Sequence, residues 1–205
     1  APGQLVFGIV QGSLYPELRR RSITELQAMD FDGLSLGGLS VGEPESEMYR
    51  LLDEVMPAMP THQARYLMGI GTPPQLVEAV HRGVDMFDCV LPTRVGRNGS
   101  AYTFTGMQQI KAGRNKQDFR PIEEGCTCPA CRDFSRAYIR HLLNVDEILG
   151  LRLMTLHNLH FYLRLMERIR EAIEADAFAE FREEFLAKYI PPRRDGGIAT
   201  IGTAP

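Results

Sequence analysis

The sequence predicts an α/β protein with a parallel sheet in its first part and mainly helix in its second. Two observations lead to this prediction. Up to about residue 95, four short apolar runs alternate with segments of helical periodicity, and strands that alternate with helices pair in parallel through right-handed crossovers. Beyond residue 96 the alternation stops, and three cysteines within six residues precede further segments of helical periodicity.

The first part, residues 1–95, contains four βα units. The predicted strands are Leu5–Val10, Gly33–Leu36, Arg65–Met68 and Met86–Val90, and the predicted helices are Pro16–Met29, Ser46–Met56 and Pro73–Arg82. Each strand ends in a turn of small or polar residues, which is where parallel α/β folds bind their ligands. Because a closed barrel needs eight such units, the sheet is either open and doubly wound or one half of a larger barrel.

The second part, residues 96–190, is predicted to begin with a hairpin and to end in helices. Asn98-Gly99 followed by Tyr102–Phe104 indicates the hairpin. The predicted helices are Ser135–Leu143, Met154–Ala175 and Phe178–Tyr189. The tail, residues 191–205, is rich in proline and glycine, and we expect it to be disordered.

The composition is that of an ordinary globular protein, with 44% hydrophobic residues, 24% charged residues and a formal net charge of −3. Global charge therefore favours no polyanionic partner, and a nucleic-acid contact would need a local basic patch. The N-terminal segment lacks a basic region and a long apolar run, so it does not resemble a signal peptide. No stretch approaches the roughly 20 apolar residues of a membrane span. We expect a cytoplasmic protein with no membrane partner.

A cluster of three cysteines predicts a metal site. The three are Cys126, Cys128 and Cys131, and such tight spacing without a secretion signal favours metal over disulfides. Zinc takes four Cys or His ligands in a tetrahedron; His157 is the preferred fourth ligand, with His141 and His160 as competitors. Four protein ligands leave no position for water, so the site is interpreted as structural. Cys89 falls within a strand and is interpreted as a core cysteine.

Polar groups at the strand ends are candidates for chemistry. Asp88 lies at the end of the fourth strand, where a buried carboxylate is costly without a task. It is a candidate nucleophile or base, and the alternative is a loop cap or an ion pair with Arg94. Gly37-Gly38-Leu39 lets backbone N–H groups approach a planar ligand, or forms only a tight turn. Gln11, after the first strand, could read an amide or base edge.

A basic stretch after the fourth strand is the best candidate for phosphate contacts. Its members are Arg94, Arg97, Lys111, Arg114, Lys116 and Arg120, against one acid, Asp118. Tyr102 and Phe104 interleave with these residues, as aromatic side chains do in many RNA-binding surfaces. The alternative is a solvated polar loop.

Eight sequence blocks occur in an order that resembles the bacterial tRNA-guanine transglycosylases. They are FGIVQGS (7–13), FDGLSLGGLSVGE (31–43), RYLMGIGTP (65–73), DMFDCVLPTRVGRNG (85–99), CTCPAC (126–131), SRAYIRHL (135–142), EILG (147–150) and TLHNLHFY (155–162). The resemblance runs from Leu5 to Tyr189. That family has a (β/α)8 barrel of the TIM type with a zinc subdomain inserted after the last strands. The resemblance therefore implies the C-terminal half of such a barrel, strands five to eight, with an appended, mainly helical zinc-binding subdomain.

The resemblance implies exchange of guanine at wobble position 34 of tRNA for a 7-deazaguanine precursor of queuosine. Asp88 would attack ribose C1′, expel guanine and form a covalent RNA–enzyme intermediate that the new base resolves. Val41 resembles the bacterial form, which takes the base preQ1. In the family, two further aspartates, one of them a general acid/base, lie in the first half of the barrel, so we expect this chain alone to be inactive. The alternative is a non-catalytic tRNA-binding or partner subunit of a transglycosylase dimer.

The resemblance also implies site residues and partners. The positions that match the base pocket are Gln11, Gly37, Gly38, Leu39 and Met68. The positions that match RNA-contacting segments are Gly69, Ile70, Gly71, Thr72, Pro73, Pro74, Gln75, Thr93, Arg94, Val95, Gly96 and Arg97. The positions that match the ligands of one structural Zn²⁺ are Cys126, Cys128, Cys131 and His157, which favours His157 over its competitors. The expected partners are tRNA with a guanine at position 34, preQ1 and a second copy in a homodimer.

Overall fold

The computed structural model of the chain describes residues 3–191. The predicted disorder of residues 191–205 therefore lies outside the described residues, apart from Pro191. The chain forms two compact units, and within the described residues these are 3–89 and 90–191. The division falls between Cys89 and Val90 rather than after Val95, because the segment that follows Val90 packs within the second unit.

The first unit holds a parallel sheet and three helices. Its elements are β1 (Phe7–Val10), α1 (Pro16–Gln27), β2 (Gly33–Leu36), α2 (Glu45–Val55), β3 (Ala64–Leu67), α3 (Pro73–His81) and β4 (Met86–Phe87). Each strand and helix that the sequence predicts here is present; β2 has the predicted ends, and the other elements have shifted ends. The largest difference is β4, which is two residues long rather than five. The ladder with β3 stops there because Gly69 N–H donates to the Asp88 side chain instead of a backbone carbonyl.

The strands follow one another in the order β1-β2-β3-β4, and each neighbouring pair is parallel. The register aligns one apolar row across the sheet, consisting of Val10, Leu36, Leu67 and Phe87. A doubly wound sheet reverses its strand order at a switch point. This sheet has no such reversal, so it does not have the strand order of a doubly wound fold.

The apolar core of the first unit lies between the sheet and its helices. One buried cluster takes side chains from all three helices and from the apolar row; the helical members include Ile23, Leu51 and Ala79. Because successive strand residues alternate between faces, the neighbours of this row lie on the opposite face. There, Ile9 and Met86 are 46% and 44% exposed. The helices α1, α2 and α3 therefore cover the same face of the sheet.

The second unit is mainly helical, as predicted, and contains the predicted hairpin. Its elements are α4 (Leu91–Arg97), β5 (Ser100–Thr103), β6 (Gly106–Gln109), α5 (Pro129–Asp133), α6 (Arg136–Asn144), α7 (Ile148–Glu174) and α8 (Phe178–Lys188). The sequence did not predict α4 or α5. The prediction of a turn after the fourth strand was wrong, because Pro92 lies in the first turn of α4, a helix too short to show periodicity.

Helix α7 is the centre of the second unit, where it packs against α4, α5, α6 and β5. It begins at Ile148, six residues before the predicted start at Met154. Gly150 looks like a helix end in the sequence, but here it gives room to α6, since a Cβ at this position would lie 3.0 Å from the Cβ of Leu142. Among the residues that the structure describes, no helix is both long and apolar enough to cross a bilayer.

Candidate functional site

The predicted site residues of the first unit meet at the carboxyl edge of its sheet. Four of them each follow a member of the apolar row by one residue; these are Gln11, Gly37, Met68 and Asp88. Because strand residues alternate between faces, all four lie on the face opposite the helices. Strand register thus brings together residues that are up to 77 positions apart (88 − 11).

The Asp88 carboxylate is held by two donors that converge on one oxygen. The Tyr66 hydroxyl donates to Oδ1 at 2.6 Å and the Gly69 N–H donates to the same atom at 2.9 Å. Oδ2 receives no hydrogen bond from the part of the chain that the structure describes. The hydrogen bond from the Tyr66 hydroxyl to Asp88 Oδ1 raises the pKa of Tyr66 to about 12, so Tyr66 remains a donor at neutral pH. The expectation of a buried carboxylate was wrong, because Asp88 is exposed. The alternative that Asp88 caps a loop accounts for its contact with Gly69 N–H but not for its contact with Tyr66.

Gln11 lies against both glycines of the loop after β2. A Cβ added to Gly37 would lie 2.6 Å from Gln11 Nε2, and one added to Gly38 would lie 2.9 Å from Gln11 Oε1. Gly38 also has a φ of +64°, a region that favours glycine. The amide of Gln11 therefore lies beside the loop backbone, where it can present both a donor and an acceptor. Leu39 is buried in the core, which leaves only its backbone for a ligand.

Sequence reasoning missed two residues that shape this loop. Glu43 accepts hydrogen bonds from the Ser40 N–H and, at 3.0 Å, from the Val41 N–H, so it closes the loop on itself. Arg19 of α1 is fully buried and donates to backbone carbonyls, including that of Gly37 at 2.9 Å. Burial lowers the pKa of Arg19, and Glu43 opposes that shift. The acidic residue three positions after Ser40 is a sequence signal from which Glu43 could have been identified.

The segment Gly69–Gln75, predicted to contact RNA, forms the loop after β3 and the first turn of α3. Thr72 caps α3: its hydroxyl accepts from Gln75 N–H at 3.4 Å, and the Gln75 side chain accepts from Thr72 N–H at 3.1 Å. The buried members of the segment are Ile70, Gly71 and Pro73. Of the remaining members, Gly69 is exposed, and Thr72, Pro74 and Gln75 are half-buried. Cys89, predicted to lie in the core, is half-buried against Gly71.

The second predicted RNA segment, Thr93–Arg97, lies on α4. Arg94 and Arg97 are exposed, while Val95 and Gly96 are buried. A Cβ on Gly96 would lie 3.2 Å from the backbone nitrogen of Thr155 on α7, so this glycine permits close helix packing. The structure therefore leaves the two arginines, and not the buried pair, for a contact with phosphate.

The other predicted phosphate-binding residues differ in how they are engaged. Lys111, Arg114 and Lys116 are exposed, whereas Arg120 pairs with Asp118 at 2.7 Å. The interpretation of the aromatic residues as part of an RNA surface was wrong. Tyr102 is buried, and the ring of Phe104 is covered by the guanidinium of Arg168 at 4.7 Å.

The second unit brings together the four predicted zinc ligands, which are Cys126, Cys128, Cys131 and His157. Their donor atoms all lie within 4.8 Å of one another. The Nδ1 atom of His157 is 3.8, 3.5 and 3.3 Å from the sulfurs of the three cysteines in chain order. Tetrahedral zinc with Zn–S near 2.3 Å and Zn–N near 2.0 Å sets sulfur–nitrogen distances of about 3.5 Å. The four residues therefore fit a zinc ion.

The surroundings of the cluster agree with a closed, structural metal site. His157 is fully buried, and its Nε2 donates to the Tyr102 carbonyl at 2.8 Å, which leaves Nδ1 free to bind metal. The two competing histidines do not belong to the cluster. His141 is exposed, and His160 contacts the Thr127 hydroxyl instead.

Comparison with known proteins gives one consistent family. The model of the family described as queuine tRNA-ribosyltransferase matches residues 1–191. A queuine tRNA-ribosyltransferase of Desulforamulus reducens is 57% identical over 183 residues, which cover 89% of this chain and 50% of the relative. One of Symbiobacterium thermophilum is 55% identical over 186 residues, with 91% of this chain and 46% of the relative covered. One of Listeria innocua is 53% identical over 186 residues, with 91% and 49% covered. The chain spans about half the length of the curated relatives it matches.

Proposed function

The chain belongs to the queuine tRNA-ribosyltransferase family, and we propose that it is the C-terminal half of a tRNA-guanine transglycosylase. The enzyme would exchange guanine at position 34 of tRNA for preQ1. The observation that carries this proposal is the Asp88 carboxylate, which lies at the same edge of the sheet as Gln11 and Gly37 and has one oxygen held and the other available. An aspartate in this state can act as a nucleophile at an anomeric carbon.

In the proposed reaction, Asp88 Oδ2 attacks C1′ of guanosine 34 while the C1′–N9 bond breaks. Guanine leaves with the bonding electron pair and takes up a proton. The Tyr66 hydroxyl and the Gly69 N–H keep hold of Oδ1. The incoming base loses the proton on N9, attacks C1′ and displaces Asp88, which regenerates the carboxylate. The general acid and base would come from the first half of the barrel, so this chain alone should not catalyse exchange.

The substrate contacts of the proposal follow from the carboxyl edge of the sheet. Gln11, the backbone of Gly38 and Met68 would line the base pocket, and the resemblance of Val41 to the bacterial form supports preQ1 as the incoming base. The exposed parts of 69–75, together with Arg94 and Arg97, would contact tRNA. Because its substrate would be tRNA, the enzyme is placed in the cytoplasm.

The architecture supports two further parts of the proposal. Sequential parallel strands with all three helices on one face are the arrangement expected of half a (β/α)8 barrel. Zinc, when bound by the Cys126–Cys131 loop and His157, would crosslink that loop to α7 and take no part in the exchange. A homodimer formed through the zinc region belongs to the same proposal, and its test is the mass of the zinc-loaded enzyme in solution.

The test is the covalent adduct between enzyme and RNA. The complete enzyme, incubated with tRNA carrying guanine 34, should give an adduct on a denaturing gel, and Asp88→Asn should give none. The matched control is Asp85→Asn, because Asp85 lies three residues upstream, is exposed, and bonds Arg65 instead of Tyr66. The control should form the adduct as the parent does, and an adduct that persists in Asp88→Asn would remove Asp88 from the nucleophile role.

A second candidate function is a non-catalytic partner subunit that binds tRNA. The open Oδ2 of Asp88 argues against it, because a partner subunit has no use for a poised nucleophile. Mixing the purified chain with a complete transglycosylase whose own nucleophile is replaced by asparagine separates the two. Restored exchange would show that this chain contributes its Asp88, whereas tRNA binding without exchange would favour the partner role.

A further inference from the structure

Arg19 of α1 lies where the loops after β1 and β2 meet, and it is fully buried. Its guanidinium donates to the carbonyls of Ser13 at 2.7 Å and Gly37 at 2.9 Å. Two longer hydrogen bonds, both of 3.4 Å, reach the carbonyls of Val10 and Gly38. One side chain thus ties together the ends of two neighbouring strands.

The buried charge of Arg19 has no carboxylate in direct contact. None of the ion pairs formed within residues 3–191 includes Arg19, and Glu43 acts on it only through the electrostatic field. Burying an unpaired charge is costly, and an apolar side chain would fill a core position at lower cost. The guanidinium of Arg19 instead donates its N–H groups to four backbone carbonyls. Its presence is therefore better explained by the orientation that it gives those carbonyls than by packing.

The contacts of Arg19 fix the direction of two peptide groups in the Gly37–Leu39 loop. All described peptide bonds are trans, so the N–H of each peptide points away from its C=O. With the carbonyls of Gly37 and Gly38 on Arg19, the N–H groups of Gly38 and Leu39 point to the opposite side. Neither N–H donates to any acceptor within the described chain. The glycine backbone, at a φ of +64° for Gly38, permits this arrangement.

We infer that Arg19 is a positioning residue of the base site, which orients the Gly37–Leu39 loop so that its free N–H groups face an acceptor oxygen of a planar purine-type base. This inference rests on the proposed function, because it takes the loop to be the base pocket. Arg19 does not touch the base. It acts through the two peptide groups, from the side of the loop that faces α1.

The test compares Arg19 with a residue that stabilises the same helix but does not contact the loop. Arg19→Lys keeps the charge and removes the fork of donors, and Arg19→Met removes both. The matched control is Ile23→Ala, one turn further along α1, where Ile23 is 1% exposed and packs in the core. Each variant is made in the complete enzyme, and melting temperature, KM for the incoming base, KM for tRNA and kcat are measured.

If Arg19 positions the loop, Arg19→Lys raises KM for the base by at least about tenfold and leaves KM for tRNA within about twofold. Ile23→Ala lowers the melting temperature without raising KM for the base. If the two variants lose similar thermal stability and show the same KM for the base, Arg19 is only a structural residue and the inference is overturned.

A second measurement on the 205-residue chain keeps this result separate from the proposed function. Hydrogen exchange of the Gly37 and Ser40 amides, which donate to the Val10 carbonyl and the Glu43 carboxylate, should speed up in Arg19→Lys and not in Ile23→Ala, whether or not the protein has transglycosylase activity. Unchanged exchange in Arg19→Lys would overturn the inference by itself. Absence of guanine exchange in the parent complete enzyme would instead overturn the proposed function.

Discussion

His157 donates its Nε2–H to the backbone carbonyl of Tyr102 at 2.8 Å, and this bond fixes which ring nitrogen is available for metal. A carbonyl can only accept, so Nε2 carries the proton and the neutral ring has its lone pair on Nδ1. Nδ1 is the atom that faces the three sulfurs. The hairpin that contains Tyr102 therefore prepares His157 as a ligand before the metal binds.

The first prediction concerns zinc. His157→Ala, or removal of the ion with a chelator, should abolish the cooperative thermal transition of the second unit, because zinc binding at a site of this type is coupled to folding. Circular dichroism during heating, together with measured zinc content per chain, checks this. His160→Ala is the control, since it removes only the contact with the Thr127 hydroxyl and should retain one zinc per chain. A verified zinc-free chain that melts like the parent would contradict the structural role.

The second prediction concerns Asn158, the residue next to His157. Its Oδ1 accepts from Tyr102 N–H at 2.9 Å, and its Nδ2 donates to the carbonyls of Pro92 and Ser100 at 3.0 and 3.1 Å. Asn158→Ala should lower the free energy of unfolding by about 3 kcal/mol, because buried backbone groups lose their partners. Urea denaturation at fixed zinc concentration measures this. Asn144→Ala, at an exposed asparagine of α6, should change it by less than about 0.5 kcal/mol.

Asn158→Asp separates hydrogen bonding from packing at the same site. The aspartate keeps the volume and the acceptor for Tyr102 N–H, but it replaces the donor that Pro92 and Ser100 use with a carboxylate oxygen. A buried carboxylate oxygen that faces two carbonyl oxygens has no donor to bond and is unfavourable. This variant should therefore be at least as unstable as Asn158→Ala. Parent-like stability would mean that the two carbonyls are not bonded by the amide.

The third prediction is a pH dependence at Tyr66. Asp88 raises the pKa of Tyr66 to about 12, so Asp88→Asn should return it towards the ordinary value of about 10. Because the pKa of Tyr66 is raised in the folded state, the hydrogen bond to Asp88 stabilises the folded state fully below about pH 10, and this stabilisation is lost as the pH rises through about 12. NMR of tyrosine labelled at the ring carbon that bears the hydroxyl follows this titration, with Tyr66→Phe to assign the signal. The same Tyr66 pKa in parent and Asp88→Asn would contradict the hydrogen bond.

Strand positions and the three cysteine ligands could be predicted from sequence because both depend on local patterns, whereas the choice of His157 depended on the family resemblance. The apolar runs around Val10, Leu36 and Leu67 are short and bounded by turn residues. Three cysteines within six residues are recognisable as metal ligands from their spacing alone. Helix α4 could not be predicted in this way. Its seven residues include Pro92 and Gly96, and the need for glycine comes from the approach of α7 about 60 residues later (155 − 96 = 59).

Arg19 and Tyr66 show the same limit at the site. Arg19 begins a run of three arginines, and only the tertiary fold selects the one that turns inward to the carbonyls after β2. Tyr66 reads as an ordinary strand residue, and its partner Asp88 is 22 positions away. The residues that act on a substrate leave patterns that can be recognised, whereas the residues that hold them depend on register and on helix packing.

The last prediction tests whether Tyr66 holds the proposed nucleophile, Asp88, in position. Tyr66→Phe removes the hydroxyl that donates to Asp88 Oδ1 at 2.6 Å but keeps the ring, which packs edge-on against Phe7. Gly69 N–H still holds Oδ1, so in the complete enzyme the covalent adduct should still form, at a rate about tenfold lower, with little change in melting temperature. A quenched time course on denaturing gels measures that rate.

Tyr49→Phe is the matched control for this experiment. It also removes a tyrosine hydroxyl that donates to a carboxylate, that of Glu45 at 2.7 Å, but it lies on α2 and away from the carboxyl edge of the sheet. Its adduct rate should equal that of the parent. If Tyr66→Phe forms adduct as fast as the parent does, Gly69 N–H alone is enough to hold Asp88. If both variants are slowed equally, the effect comes from lost stability and not from the position of Oδ1.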